Sequence, residues 1–277
     1  MKAGQFCFEC IRRLIDVASE LSTDDADLLK SARQQAIGIL QSGYSDAVVP
    51  AHLSTMILRE LKEITGNLDP FRDVKHKEMD FARTIASRIN PPSNLKSLME
   101  FAALGNTLDF FKEPKSLLEV IDGFPGFIQD DVSAFSEKLH RARKILYLAD
   151  NAGECFFDIP LIKYLARYAE VMYVVKDSSA QNDITYEDLE YAGLSNMMDK
   201  VMTTGDDAIG IDLMTASKEI MRELENSDLI VAKGMGNYET ISEIPIRSKT
   251  LYVLMAKCRP VASSLHVPLN SYLAVMG

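Results

Sequence analysis

The sequence KILYLADNAGE, residues 144–154, decides the fold of this chain. Its apolar run, residues 144–149, is typical of a buried strand, and residues 155–167 continue with the apolar periodicity of a helix. Strand, acidic turn and helix together are how an open α/β sheet presents ligand-binding groups at the carboxyl end of a strand. Asp150 and Asn151 offer hard oxygen donors of the kind that Mg²⁺ and Mn²⁺ prefer, and Gly153 permits a sharp turn. The alternative is a plain loop in which Asp150 caps the helix.

The pattern around this stretch predicts two kinds of structure. Four more short runs are continuously apolar, which favours strands covered on both faces of a parallel sheet: residues 171–175, 201–203, 229–232 and 251–255. Upstream, apolar residues recur at helical spacing in residues 10–21, 26–40, 53–64, 72–89 and 93–104. We therefore predict an α/β protein: an all-helical domain, residues 1–135, packed on a Rossmann-like, doubly wound and mostly parallel α/β domain, residues 136–277, which carries the site.

Composition narrows the class of function. The chain has 277 residues, of which 47% are apolar and 25% charged, as in ordinary globular proteins. Its formal net charge of −10 argues against nucleic acid as the main partner, because a nucleic-acid backbone requires clustered Lys and Arg. No apolar run approaches the ~20 residues that span a membrane, and the N-terminus lacks a signal-peptide pattern. The sequence predicts a cytoplasmic protein without a membrane partner and leaves its oligomeric state open.

Polar residues follow four of the five predicted strands. They include Asp150 with Asn151, Asp183 in the segment 176–185, the segment 233–237, and Lys257. The carboxyl ends of parallel strands meet at one edge of a sheet, so these residues would suit a divalent metal ion together with an anionic oxygen ligand. Each has an ordinary alternative. Asp183 could cap the next helix, the glycines of 233–237 could only supply a turn, and Lys257 could be a solvated lysine.

Several motifs occur in an order that resembles one known family. They are DNAGE at residues 150–154, NDxT at 182–185, KGxGNxE at 233–239 and AKC at 256–258, together with DPFRDVK at 69–75, GNTLD at 105–109 and an N-terminal CxxC at Cys7 and Cys10. Together they resemble the DUF89 family of metal-dependent damage-control phosphatases, and the CxxC resembles its microbial and archaeal branch. Eukaryotic members carry an R-T-x-K element where this chain has residues 254–257, and only Lys257 is shared. A role for the arginine and threonine of that element therefore does not transfer.

The resemblance implies a set of site residues. The implied metal ligands are Asp150, Asn151 and Asp183, and the implied phosphate-binding residues are Lys233, Gly234, Gly236, Asn237 and Lys257. Glu154 is a candidate for contacting substrate or orienting water, or else a first-turn acid that interacts with the helix dipole. Asn106 and Asp109 would close the cleft from the helical side, or else cap a helix.

From these residues we expect hydrolysis of a small phosphomonoester, such as a sugar phosphate or a damaged phosphometabolite. Asp150, Asn151, Asp183 and Lys257 would carry catalysis, with Mg²⁺, Mn²⁺, Co²⁺ or Ni²⁺ as the metal ion. The sequence leaves the attacking group open between an activated water and a carboxylate such as Asp150. The alternatives are an S-adenosylmethionine-dependent methyltransferase on the same fold and a non-catalytic metal- or phosphate-binding module.

Two smaller features complete the expectations. Cys7 and Cys10 have the spacing of half a metal site, so they could form a second metal site or a redox pair, or be small helix residues. Charge clusters such as Arg59 and Lys62 with their neighbouring glutamates are expected to be solvated helix faces.

Overall fold

The N-terminal part of the chain is helical, as the apolar periodicity predicts. In the computed structural model the described residues are 1–107, 124, 126–195 and 200–277. The first helices are α1 (Cys7–Ser22), α2 (Ala26–Gly43), α3 (Pro50–Thr65), α4 (Arg72–Ala86) and α5 (Leu95–Leu104), and a 3₁₀ turn, Gly105–Thr107, follows. Local chemistry determines where they start and stop. The Asp25 carboxylate accepts from two backbone N–H groups at the start of α2, and Gly66 ends α3 in the left-handed conformation.

The C-terminal part forms a mostly parallel sheet with helices between its strands. The strands are β1 (Gln129–Asp130), β2 (Lys144–Leu148), β3 (Glu170–Val175), β4 (Val201–Thr203), β5 (Leu229–Lys233), β6 (Thr250–Met255) and β7 (Tyr272–Met276). The helices are α6 (Val132–Leu139), α7 (Cys155–Leu165), α8 (Tyr186–Ala192), α9 (Lys218–Asn226), α10 (Gly234–Ile241) and α11 (Arg259–Ser264). The five predicted strands are present, which confirms the α/β fold class, whereas β1 and β7 were not predicted.

The strand order creates one crevice at the carboxyl edge of the sheet. The order is β1-β7-β6-β5-β2-β3-β4, and every neighbouring pair is parallel except β6 with β7. From β2 the chain moves outward through β3 to β4 and then returns to β5 on the other side of β2. Such a reversal of winding separates the loops that follow β2 and β5 and opens a crevice, which is where doubly wound sheets bind ligands. We call this space, outside the carboxyl ends of β2 and β5, the β2–β5 crevice.

Both faces of the sheet are buried. Ile145 and Tyr147 of β2 point into one hydrophobic cluster, and Leu146 and Leu148 point into another on the opposite face. Each fully buried side chain of this size contributes about 1.5–3 kcal/mol, so a two-sided strand requires the continuous apolarity seen in residues 145–148.

The helices divide their packing between two cores. Side chains of α4 and α5 belong to the same cluster as one face of the sheet, whereas α1, α2 and α3 enclose a cluster of their own. The division into domains at residue 135 stays a prediction. Within the described ranges, helices of the length and apolarity needed to cross a bilayer do not occur.

Candidate functional site

The segments after β2 and β3 are paired through their backbones. The Ile184 N–H donates to the Asp150 carbonyl oxygen at 2.9 Å, and Asn151 lies opposite Asp183 in an isolated antiparallel bridge. The pairing brings together three predicted site residues, Asp150, Asn151 and Asp183, although they follow different strands. Asp150 is not a simple helix cap, because its side chain caps neither the 3₁₀ turn nor α7.

The end of β5 reaches the same point. Gly234 has a φ of +72°, and a Cβ built on it would lie 1.8 Å from Oδ2 of Asp150. Only glycine allows the backbone to approach the carboxylate this closely. The side-chain amide of Asn237 donates to the carbonyl oxygens of Ala149, at 3.0 Å, and Lys233, at 2.8 Å, and thereby joins the ends of β2 and β5.

Hydrogen bonds fix the orientation of the Asn151 amide. Its Nδ2 donates to Oε1 of Glu154 at 2.7 Å and to Oδ2 of Asp150 at 3.2 Å. Carboxylates only accept, so the nitrogen must face them, and Oδ1 is the atom left to serve as a ligand.

A bound cation would stabilise the buried acidic groups of the crevice. Burial, followed by the charges of Glu154 and Asp183, raises the pKa of Asp150 well above its usual range, and the charge of Lys257 opposes this. Burial also raises the pKa of Asp183, against the charge of Lys176. Buried like charges of this kind are relieved by a bound cation.

The donor set fits a hard divalent ion. Two carboxylates and one amide oxygen are the ligands that Mg²⁺ and Mn²⁺ take, with the remaining positions filled by water or substrate. In the part of the chain that the structure describes, no three His, Cys, Asp or Glu side chains are grouped to hold a metal, so this set depends on Asn151. A further buried oxygen, Oδ1 of Asn237, has no hydrogen-bond partner among the described residues.

Lys233 is enclosed by the protein rather than directed at the crevice. It is 0% exposed, and its ammonium donates to Glu154 Oε2 at 2.7 Å, Asp158 Oδ1 at 2.7 Å and the Ala102 carbonyl oxygen at 3.0 Å. Burial alone would lower its pKa, but the charges of Asp158 and Glu154 raise it, so the group stays an ammonium. These contacts use all three N–H groups, and direct binding of phosphate by Lys233, as the resemblance implied, would require one of them to break.

Glu154 and Asn106 belong to the same buried network. Glu154 is 0% exposed and accepts from Asn151, Lys233 and the side-chain amide of Asn106. Asn106 Oδ1 accepts from the Met255 N–H at 3.3 Å, which ties the end of β6 to Glu154. Glu154 is thus more than a first-turn acid, and the Asn106 side chain bonds both Glu154 and the end of β6. Asp109 lies outside the described residues.

Lys257 lies within electrostatic reach of the crevice. It is half-buried after the end of β6, and its charge lowers the pKa of Asp150. Gly236 also packs closely, since a Cβ there would lie 2.8 Å from Cγ2 of Ile209. Gly234, Gly236 and Asn237 begin α10, so the N–H groups of a helix start lie at the carboxyl end of β5.

The structure adds residues to which the sequence assigned no role. Lys75 of α4 is fully buried and pairs with Asp69 Oδ2 at 3.0 Å and Asp188 Oδ2 at 2.8 Å. Asp188 forms a capping box with Thr185 at the start of α8, so Thr185 rather than Asp183 caps that helix. Lys75 and Asp69 stand in the DPFRDVK motif, which was the available signal.

Two further lysines support the loops of the site. Lys176, directly after β3, lies 3.6 Å from Oδ2 of Asp183 and also donates to the Gly210 carbonyl oxygen. Arg59 pairs with Asp207 at 2.6 Å, and Lys62 pairs with the same carboxylate. The expectation that Arg59 and Lys62 form a solvated face is therefore wrong, because both tie α3 to the loop after β4.

Cys7, Cys10 and Cys258 lie within electrostatic reach of one another. Cys7 is buried and Cys10 exposed, and no disulfide joins the cysteines of the described residues. Burial raises the pKa of Cys7, and burial raises that of Cys258 to about 12. A second metal site or redox pair at Cys7 and Cys10 stays a prediction.

Comparisons with known proteins agree on one family. A family model described as "Damage-control phosphatase ARMT1-like domain" matches residues 5–273. A damage-control phosphatase of Pyrococcus horikoshii, PH1575, is 35% identical over 97% of this chain and 96% of its own length. A damage-control phosphatase of Archaeoglobus fulgidus is 33% identical over 99% of both chains. The crystal structure of a DUF89 family protein from Pyrococcus horikoshii superposes with a TM-score of 0.91 at 34% identity, covering 100% of this chain and 99% of that one.

Proposed function

Because this chain belongs to the damage-control phosphatase ARMT1-like family, we propose that its phosphatase site is the β2–β5 crevice. The chain is a hydrolase that acts on small phosphorylated metabolites. One observation carries the choice of site: Asp150, Asn151 and Asp183 meet at the switch point of the sheet, and the Asn151 amide nitrogen is held by carboxylates, which leaves the amide oxygen as the ligand atom. The family assignment also decides against the methyltransferase alternative.

We propose that Asp150, Asn151 Oδ1 and Asp183 hold a divalent metal ion. Mg²⁺, Mn²⁺, Co²⁺ and Ni²⁺ all accept oxygen donors of this kind. When bound, such an ion supplies Lewis-acid polarisation of a phosphoryl oxygen. Gly234 keeps the space beside Asp150 clear of any side chain, which maintains the position of that carboxylate.

Two groups of this chain are suited to receive the phosphate. Lys257 carries a positive charge at the crevice and can offset negative charge on the phosphoryl oxygens. The first N–H groups of α10, from Gly234 to Gly236, lack intrahelical partners by geometry and carry the positive end of the helix dipole. Lys233 does not contact the phosphate in this proposal. Its positive charge acts on the crevice through Glu154, to which its ammonium is hydrogen-bonded.

The family name supports a small phosphorylated metabolite as the substrate class. Sugar phosphates and phosphorylated cofactor derivatives are both small phosphomonoesters, and either class fits a damage-control role. We propose the cytoplasm as the compartment in which the enzyme acts.

The test uses metal-stripped protein and p-nitrophenyl phosphate, with each of the four ions added back separately. We expect at least one ion to restore turnover, and we expect Asp150→Asn and Asp183→Asn to lose about 100-fold or more of it. The matched control is Asp46→Asn, an exposed aspartate between α2 and α3, which should behave as wild type.

Two outcomes would overturn the proposal. Full turnover in both variants would exclude these residues as the metal site. Tight metal binding by wild type without turnover of any phosphoester would instead indicate a non-catalytic binding module.

A further inference from the structure

Asp158 is a buried carboxylate to which the proposed mechanism gives no role. It lies near the start of α7 and is 0% exposed. Its Oδ1 accepts from the Tyr147 hydroxyl at 2.7 Å and from the Lys233 ammonium at 2.7 Å, and its Oδ2 accepts from the Tyr173 hydroxyl at 3.4 Å. A carboxylate this deeply buried would be strongly destabilising without such partners.

These contacts connect Asp158 to the candidate metal ligands. The ammonium that bonds Asp158 also donates to Oε2 of Glu154 at 2.7 Å. The other oxygen of Glu154, Oε1, accepts from Nδ2 of Asn151 at 2.7 Å. Asp158 therefore lies three hydrogen bonds from the Asn151 amide, and the two intervening groups, Lys233 and Glu154, are themselves buried.

The charges of this chain of contacts matter as much as its geometry. Lys233 is shared between two carboxylates, so its positive charge does not fully neutralise Glu154. Neutralising Asp158 would leave the ammonium to Glu154 alone, which would make the electrostatic potential around Asp150 and Asp183 less negative. The effect of such a change is large in a buried site, where water screens little.

We propose that Asp158 is a positioning residue: through Lys233 it sets the orientation of Glu154, and hence of the Asn151 amide, toward the divalent ion. The inference rests on the proposed function of the crevice. Partners of metal ligands commonly change metal affinity or activity by about 10–100-fold when they are replaced.

The main test is Asp158→Asn, which preserves shape and an acceptor for Lys233 but removes one negative charge. Metal binding is measured by titration calorimetry and by the rise in Tm on adding Mg²⁺ or Mn²⁺, and turnover is measured at saturating metal. We expect the Kd for the metal to rise about tenfold, the metal-induced rise in Tm to shrink, and the KM for p-nitrophenyl phosphate to change little.

A stability control separates positioning from general loss of structure. Leu224→Ala removes a buried side chain of α9, on the face of the sheet opposite Asp158, and should lower Tm without changing the Kd for the metal. A Kd for Asp158→Asn within twofold of wild type would overturn the inference, whatever its Tm.

Two milder variants test the inference even if Asp158→Asn does not fold. Tyr147→Phe removes the 2.7 Å hydrogen bond to Asp158, and Tyr173→Phe removes the 3.4 Å one. We expect the first to raise the metal Kd about two- to threefold and the second to raise it less, in the order of the bond lengths. Unchanged affinity in Tyr147→Phe would overturn the inference. A wild type without metal-restored turnover would instead overturn the proposed function, so the two failures are distinct.

Discussion

Single atoms decide the geometry of the crevice at the residue scale. A side chain at position 234 would clash with the Asp150 carboxylate. The φ of Gly234, +72°, is also one that residues with side chains rarely adopt. Gly193, which ends α8, has nearly the same φ of +69°, but no atom of the described residues lies within 4 Å of the position its Cβ would take. Alanine substitutions at the two glycines would therefore separate the cost of a left-handed backbone from the cost of a steric clash with Asp150.

We predict that Gly193→Ala lowers the free energy of unfolding by about 1 kcal/mol, the cost of the left-handed conformation alone. Gly234→Ala should cost roughly 3 kcal/mol or more and abolish phosphatase activity, because Asp150 must move. Urea unfolding and p-nitrophenyl phosphate turnover measure the two effects. Equal costs for the two variants, with activity retained in Gly234→Ala, would contradict this account of the Asp150 contact.

Buried ion pairs link neighbouring secondary structures at the element scale. Lys75 of α4 lies between Asp69 and Asp188, and Asp188 in turn caps α8 with Thr185. Because Asp183 precedes that cap by two residues, the start of α8 controls where Asp183 lies. One lysine thereby connects the helical part of the chain to a candidate metal ligand.

We predict that Lys75→Met lowers the free energy of unfolding by about 3–5 kcal/mol, because the buried Asp188 and the half-buried Asp69 both lose the ammonium that they share. Combining it with Asp188→Asn should recover part of that loss, since one of the unpaired charges is then removed. Thermal and urea unfolding measure both. The comparison variant is Thr185→Ala, which removes the hydroxyl that caps α8 and donates to Asp188 but leaves the ion pair with Lys75 in place, and which should cost about 1 kcal/mol. A Lys75→Met variant no less stable than Thr185→Ala would show that the pair contributes little.

How well each element could be predicted depended on whether its signal was local. The continuous apolar runs of β2, β3, β5 and β6 reflect burial on both faces, so they were recognised from the sequence. β1 has only two residues, and β7 runs antiparallel to β6 between strands that are distant in the chain. β1 is a strand only through its partner, whereas β7, with the sequence YLAVM, carries a local apolar run that was available as a signal.

Contacts between the helical part and the sheet act at the scale of the whole molecule. Glu239 of α10 accepts from the Ala51 N–H, at the start of α3, at 3.1 Å. Burial raises the pKa of Glu239 from 4.5 to about 7, although the Met1 amino group and the Ala51 hydrogen bond act to lower it. The folded protein thus binds a proton here more tightly than the unfolded chain does.

The sign of the pH effect follows from that difference. Favourable protonation of Glu239 in the folded state is fully present below about pH 4.5 and is lost as the pH rises through about 7. Glu239→Gln lacks this titration. We predict that the stability of Glu239→Gln relative to wild type increases by roughly 3 kcal/mol between about pH 4.5 and about pH 8.

Urea unfolding across this pH range measures the difference. Glu63→Gln, which changes an exposed carboxylate on α3, is the matched control and should show no comparable trend. If the difference in stability between Glu239→Gln and wild type did not change with pH, the folded and unfolded states would bind the Glu239 proton equally.

The sequence by itself determined the fold class and the strands that line the crevice, because burial on both faces of a strand requires a continuous apolar run. It also identified Asp150, Asn151 and Asp183 as candidate ligands, because these polar residues follow the strands directly and belong to the motifs of the family. Only the tertiary structure decided how the polar groups are shared. It enclosed Lys233 between Glu154 and Asp158, gave the cap of α8 to Thr185, and brought Lys75 to Asp188. A buried charge must find its partner wherever the packed chain places one, and that partner is set by three-dimensional neighbours rather than by position in the sequence.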